Sequence, residues 1–583
     1  MGLVRVLLPL PRAAARLGPG AGRRLLGAAL THCVAPGWVL LRPPPPWRRL
    51  AWAEEATAVY RALAARERAR PRDRDLLARS LVWHAYTLVL VGRCEQACTV
   101  LDAASAVPGA RWRPAQRALR LHLRAQARFG LERPDDALVA AEECVAAYRR
   151  LVLTRRDRTL GTLPGALRTY ALVLAALDRT EESVAAYEEC VGLLRDMSLR
   201  EASHVILVRV RALCELTAGL VVSGRYEEAL SVGREARDAA DPIMLRVAPE
   251  VVRPLRVRLF TDLARCLAAT GDGSAARTTA EESVAEARTL ADRDRTTGEP
   301  LLVLALDCLA DRLGELERRA AELTCRRGAV DLCVTLVAER PDTYDSLLAV
   351  CCERLADCHT AAGDRADAVR AGERAVAAHR RAAELDPMAQ EPQLARALAD
   401  LSKLRLDDGD LDGAVGAARE AVALTRRPAE SDRPARHAVT AGRLRVLGRA
   451  LRRAGDHGAA VACYAESESL LVDEEGPEAG LYAASLAAAR SGLALALDEE
   501  ARAHLADGRA DDAVTALRAL LSLTRRTGQS SVHARCVTAF AAARAEYPDT
   551  LVSAWTRETG QDFPTFVYRL SGALGGDPPP GGN

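Results

Sequence analysis

The chain has 583 residues, 49% of them hydrophobic, 4% aromatic and 27% charged, with a formal net charge of +3. That near-neutral balance gives no general electrostatic case for nucleic-acid binding. Fifteen cysteines without paired spacing read as reduced, buried small hydrophobes of a cytoplasmic protein, not as a disulfide framework.

Residues 1–53 carry eight arginines and no acidic residue, or +8, which leaves 73 basic against 78 acidic residues, or −5, for the rest. Within them "LLGAALTHCVAPGWVLL" (Leu25 to Leu41) is apolar but contains His32, Pro36 and Gly37. That is marginal against the ~20 apolar residues of a membrane helix. The opening "MGLVRVLLPLPRAAARLG" is broken by prolines and arginines, which argues against a secretory signal. Three readings stay open: a poorly ordered basic extension, a basic amphipathic surface-binding segment, or a true signal or anchor. Membrane contact is expected only through this part. The prolines Pro43 to Pro46 mark a linker into the body that follows.

From there one motif recurs. It reads Gly92-Arg-Cys-Glu-Gln-Ala97, Gly224-Arg-Tyr-Glu-Glu-Ala229, Gly271-Asp-Gly-Ser-Ala-Ala276 and Gly363-Asp-Arg-Ala-Asp-Ala368. It returns as Gly409-Asp-Leu-Asp-Gly-Ala414, Gly455-Asp-His-Gly-Ala-Ala460 and Gly508-Arg-Ala-Asp-Asp-Ala513. Degenerate copies begin at Glu132 and Asp178, and a tenth, poor copy falls near Gly314, where the small position reads Arg319. Successive glycines lie 47, 46, 46 and 53 residues apart in the clearest stretches, a period that signals stacked supersecondary units. Before each Gly runs an amphipathic stretch such as "GRLRVLGRALRRAG", with Leu444, Leu447 and Leu451 at helical spacing. The Gly closes that helix, because a left-handed C-terminal residue costs Gly almost nothing. The carboxylates that follow favour the positive end of a second helix. Small residues seven apart, such as Ala414 and Ala421 or Cys144 beside Cys190 in successive copies, place a narrow face toward the first helix.

These residues resemble the tetratricopeptide repeat (TPR) family, of the long-period type met in actinobacteria. The lone Lys403 among eighty arginines fits a GC-rich genome of that kind. The family's middle Gly and small position match the motif above, and its leucine–small pair matches Leu263-Ala264, Leu355-Ala356, Leu401-Ser402 and Leu447-Gly448. Its second-helix aromatic survives at Tyr187 and Tyr464. The first-helix Trp and Tyr are mostly missing, and the period exceeds the family's ~34 residues, so longer helices or longer loops take up the difference. The resemblance implies an all-α, right-handed superhelical α-solenoid of about nine to ten TPR-like repeats over 54–545. A C-terminal helical cap is expected over 546–571, with Trp555 at its centre, and a disordered tail over 572–583.

A search for chemistry finds no phosphate-binding Gly-x-x-x-x-Gly-Lys, no His-Glu-x-x-His and no Gly-x-Ser-x-Gly. "CCERLADCH" (Cys351, Cys352, Cys358, His359) fits core packing better than zinc, and acid pairs such as Glu142-Glu143 read as solvated faces. No catalytic residue, metal or cofactor is expected. In the family, residues 13, 10, 6 and 3 before the turn Gly line the concave groove. Here they place Arg396, Lys403, Arg445, Arg449 and Arg452 along one wall. Arginine's planar fork suits carboxylates, so an acidic-peptide or C-terminal carboxylate site is expected there. The competing reading pairs these cations with Asp400 and Asp407. The family implies a non-catalytic scaffold for a protein or peptide partner. A regulatory or sensory subunit acting on a separate effector, and a membrane-attached assembly factor, stand as alternatives.

Overall fold

The computed structural model describes residues 21–34, 45–66, 70–154, 163–196, 203–240, 249–426, 433–472 and 479–564. These residues form 24 helices and no strand. They divide into two compact units, one ending at Arg312 and one starting at Leu313.

The first unit opens with α1 (Ala21–Val34) and α2 (Pro46–Ala64). Five hairpins follow: α3 (Pro71–Leu90) with α4 (Cys94–Ser105), α5 (Pro114–Phe129) with α6 (Pro134–Thr154), and α7 (Leu163–Ala176) with α8 (Thr180–Asp196). The last two pair α9 (Ser203–Val222) with α10 (Tyr226–Ala239) and α11 (Pro249–Ala269) with α12 (Gly273–Ala291). Helix α13 (Arg295–Glu315) leads across the boundary to α14 (Arg319–Glu339). The second unit then pairs α15 (Pro341–Ala362) with α16 (Arg365–Leu385), and α17 (Pro387–Asp408) with α18 (Leu411–Thr425). It goes on with α19 (Arg433–Arg453) and α20 (His457–Val472), then α21 (Ala479–Ala506) and α22 (Ala510–Thr527), and closes on α23 (Ser530–Glu546) and α24 (Pro548–Thr559). The surplus over the family's period goes into helix length here. Helices α15, α16 and α17 run 22, 21 and 22 residues, with only Arg340 and Asp386 as joints before α15 and α17.

Ten turns of one design join the first and second helices. Gly92, Gly224, Gly271, Gly363, Gly409, Gly455 and Gly508 have φ between 73° and 96°. The degenerate copies hold the same conformation without Gly, at Glu132 (58°), Asp178 (57°) and Glu317 (58°). In every turn the next residue's N–H donates to the carbonyl five back, as Arg93 to Leu88, Arg318 to Leu313 and Asp410 to Arg405, each 2.9 Å. This is the Schellman closure of a helix. The tenth turn residue is therefore Glu317, and its small position is Glu322, not Arg319. Glu322 is only 7% exposed. Gly314 makes room for it: a Cβ there would stand 2.9 Å from Glu322 Oε1.

Elsewhere the position five after the turn is filled by Ala97, Ala137, Ala229, Ala276, Ala414, Ala460 and Ala513, all fully buried. Seven residues further the side chain is Ala or a hydrogen-bond donor, except in the last repeat, where the buried Leu520 stands. Cys144, Cys190, Ser283 and Ser467 each donate to a first-helix carbonyl 26 residues upstream, at 3.5, 3.2, 2.9 and 3.0 Å. Second helices are laced together on their exposed sides by ion pairs 40 residues apart, Arg149–Glu189, Arg195–Glu235, Arg380–Glu420 and Arg426–Glu466. Such exposed pairs are worth about 0–1 kcal/mol each, so burial of the small-residue face carries the hairpins.

Residues 21–34, placed by composition in a poorly ordered extension, form α1 and pack on α2. Leu26 and Leu30 are buried against Ala56. Arg24 makes a two-pronged salt bridge to the buried Asp73, 2.7 Å at each contact. Composition counts the eight arginines but cannot see an acid 49 residues away. At the other end Phe540, Trp555 and Phe563 stack with centroids 5.5–5.8 Å apart and cover the core around Leu517 and Leu520. Residues 565–583, and with them the tail, lie outside the described residues.

A non-glycine left-handed residue costs about 1–2 kcal/mol. Glu317→Gly is expected to stabilise the protein by roughly 1 kcal/mol, less its added unfolded-state entropy. Gly409→Ala is expected to destabilise it by about as much. Denaturant midpoints of the two variants against wild type check both signs.

Candidate anion-binding cleft

Helix α19 sorts its residues by face. Ala441, Leu444, Leu447, Ala450 and Leu451 enter the core of the second unit. The stripe Gly442, Arg445, Arg449 and Arg452 turns the other way and lines a cleft of about 640 Å³. Lys403 of α17 borders it on one side and Ser491, Gly492 and Leu495 of α21 on the other. Four of the five cations named from the sequence thus share this cleft; Arg396 is not among its lining residues.

Tyr464 comes into the cleft from α20 between two first helices. The glycines leave the space: a Cβ on Gly448 would lie 2.9 Å from the ring, and one on Gly492 only 2.3 Å. Burial raises the Tyr464 phenol above its usual range, while Arg452 and Arg449 beside it act in the opposite sense.

The five cations differ in how they are matched. Lys403 donates to Asp400 at 2.8 Å and Arg452 to Glu499 at 2.6 Å. Arg396 donates to Glu353 at 2.7 Å, and His379 Nε2 lies 3.1 Å from the same carboxylate. Burial pushes Glu353 up, but those two hydrogen bonds outweigh it and hold the carboxyl below its ordinary range. Among the described residues Arg445 donates only to the Ser485 carbonyl, at 3.2 Å, and its buried Nε meets no partner there. Arg443, also in the lining, has a buried Nε in the same condition. Arg449 is exposed. Among the described residues no carboxylate forms a salt bridge with Arg443, Arg445 or Arg449. Burial lowers the pKa of Arg443 and of Arg445 below the usual guanidinium range, and Arg449 adds repulsion at Arg445. The cleft therefore holds partly desolvated positive charge that its own walls do not neutralise.

The first unit holds a comparable cation in Arg211, whose pKa burial lowers and which forms no salt bridge among the described residues, but other arginines of that unit are matched. There Arg168 meets Glu215 at 2.9 Å, and Arg253 and Arg256 share Glu286 at 2.6 and 3.1 Å. One carboxylate is poorly compensated: burial pushes Asp262 up to about 6, against a weak 3.7 Å contact with Arg265.

The cysteines of "CCERLADCH" are core residues, with Cys351, Cys352 and Cys358 at most 4% exposed. His359 is equally buried and faces the carboxylates of Asp364 and Asp367 at 3.4 and 4.0 Å. Asp367 also pairs with Arg370. This closes the helix end onto its turn.

Sequence spacing located the α19 stripe. It missed Arg443, which lies off the family's groove positions, and it gave Tyr464 only a packing role. The signal for Tyr464 was the pair of glycines, one on each neighbouring first helix.

No family model matches the sequence, and a search of curated proteins finds no match. Solved structures share parts of the architecture. BtubC from P. vanneervenii is 19% identical over 43% of this chain and 94% of its own, with a TM-score of 0.35. The apo form of RapI is 10% identical over 69% and 98%, TM-score 0.46. The apo quorum sensor NprR from B. thuringiensis is 13% identical over 65% and 97%, TM-score 0.44. Likenesses of this size carry no argument about function. The chain's own ten turns and buried small positions define it as a helical-hairpin repeat protein.

Two outcomes test this geometry. Gly492→Ala forces the Tyr464 ring to move and is expected to cost about 1–3 kcal/mol; adding Tyr464→Leu should recover part of it in a double-mutant cycle. For Asp262, the folded-state value lies above the unfolded one of 3.8. The native state therefore binds the proton more tightly, and stability falls as pH rises from about 4 to about 6, then levels. Asp262→Asn is expected to flatten that window and to raise stability at pH 7 by up to about 3 kcal/mol, read from urea midpoints at each pH.

Proposed function

We propose that the chain is a non-catalytic binding scaffold that holds a protein or peptide partner through an acidic segment or terminal carboxylate in the cleft between α17, α19 and α21. The observation that carries this reading is the set of three guanidiniums, Arg443, Arg445 and Arg449, with no carboxylate bound to them in a cleft of about 640 Å³. The competing salt bridges to Asp400 are made by Lys403 and Arg396; Arg443 feels the Asp400 charge without forming a salt bridge to it. Unmatched, partly buried cations cost free energy in the unbound protein, and an anionic ligand returns it on binding. Repeat scaffolds offer such surfaces without rearranging their cores. No helix among the described residues is long and apolar enough to cross a membrane, so the reading places recognition in the repeats.

Arg449→Glu is the direct probe, because Arg449 is exposed and its loss breaks no salt bridge. Arg452 is a poorer choice, since a glutamate there would face Glu499. Capture from native lysate, together with titration of a fluorescent Glu-rich peptide bearing a free C-terminus, is expected to show at least a tenfold loss with Arg449→Glu at unchanged Tm. Equal retention by both proteins would remove the cleft from the function.

A further inference from the structure

The charge and directionality of the cleft narrow its ligand beyond an acidic segment; this step rests on the reading above. The carboxylates in contact with its cations, Asp400 and Glu499, are each already engaged. That leaves three guanidiniums for one incoming group. They do not stand side by side. At about 100° per residue, Arg443 and Arg445 lie roughly 160° apart around α19, with Arg449 between them, and all three line the same cleft. Arg443 lies on the side where it feels the Asp400 and Arg396 charges of α17. Arg445 lies on the other side, in contact with the Ser485 carbonyl of α21.

A planar carboxylate has one charge and two oxygens, and a single guanidinium fork satisfies it. A phosphate monoester carries about −1.5 to −2 at pH 7 and presents three acceptor oxygens in a tetrahedral spread. It can take donors from both flanks and from the middle at once. The Tyr464 phenol stands at the same wall, as does the Ser491 hydroxyl, which accepts from Gln529 and lies 3.2 Å from Ser531 Oγ, and Val446 and Leu495 give an apolar surface beside it. The volume falls within the ~300–1,000 Å³ of small-ligand clefts. We propose that this cleft is a phosphomonoester site, reading the dianion of a phosphorylated side chain or of a small organic phosphate, with Arg443, Arg445 and Arg449 as the three-sided cradle.

The groups that could titrate nearby are Tyr464, the Asp400 and Glu499 carboxylates, and His457, whose Nδ1 lies 3.5 Å from Glu499. A pH effect must therefore be referred to a ligand that does not itself titrate. Three probes are titrated calorimetrically into the full chain at pH 7.5 and 5.5: a phosphoserine peptide, the same peptide with Glu at that position, and inorganic phosphate with sulfate as the pH-insensitive tetrahedral control. The expected result is at least tenfold tighter binding of the phosphoserine peptide than of its Glu counterpart at pH 7.5. That preference should shrink several-fold at pH 5.5, as the second phosphate proton (pKa ≈ 6) returns. Sulfate should hold constant relative to the Glu peptide. Arg449→Gln and Arg443→Gln should each weaken phosphopeptide binding more than Glu-peptide binding, and Arg449→Lys should restore only part of it, because the fork is lost.

Equal affinity for the two peptides at pH 7.5 overturns the phosphate assignment and leaves the acidic-peptide reading standing. Binding of inorganic phosphate without either peptide supports the phosphate assignment, with a small organic phosphate as its source, and removes the peptide reading. Silence from all three probes at an unchanged Tm overturns both. An Arg443→Gln variant that binds phosphate as wild type does overturns the three-sided cradle.

Discussion

Close approach between the two helices of each hairpin is the constraint on which both units depend. A residue in the left-handed region ends the first helix, and five positions later a residue without bulk lets the second helix lie against it. Where the small residue is Ala, the contact is van der Waals packing alone. Seven residues further along the second helix, Cys144, Cys190, Ser283 and Ser467 each add a hydrogen bond to the opposite backbone at no cost in width. The exception at Glu322 follows the same rule from the other side, since Gly314 gives up its own side chain to admit a carboxylate.

That economy of width also explains why the cleft exists. Two glycines on adjacent first helices, Gly448 and Gly492, admit the Tyr464 ring, and the arginines of α19 stand around it. In the first unit Arg168, Arg253 and Arg256 are met by Glu215 and Glu286. At α19 Arg452 is paired with Glu499 and Arg445 meets the Ser485 carbonyl, while among the described residues no carboxylate forms a salt bridge with Arg443, Arg445 or Arg449.

Much of the fold was legible in the residues. The turn glycines, the small positions and even the degenerate copies at Glu132 and Asp178 fall where the motif puts them, because each is a local demand of backbone conformation or helix spacing. The copy near Gly314 was displaced by three residues, since Glu317 and Glu322 break both halves of the motif and only their mutual geometry with Gly314 reveals the register. The α1 helix was hidden for a related reason: its stabilising partner, Asp73, is remote in sequence.

The cations of the cleft were half legible. Helical spacing put Arg445, Arg449 and Arg452 on one stripe, because a period of 3.6 residues is a property of the chain alone. Which of them is neutralised is not, because Glu499 reaches Arg452 across 47 residues while nothing comparable reaches Arg449. Sequence by itself determined the repeats, their turns and the face on which charge collects, all of them short-range matters. Tertiary structure decided which charges are spent and which remain, since Coulomb pairing acts through space between residues that the order of the chain does not relate.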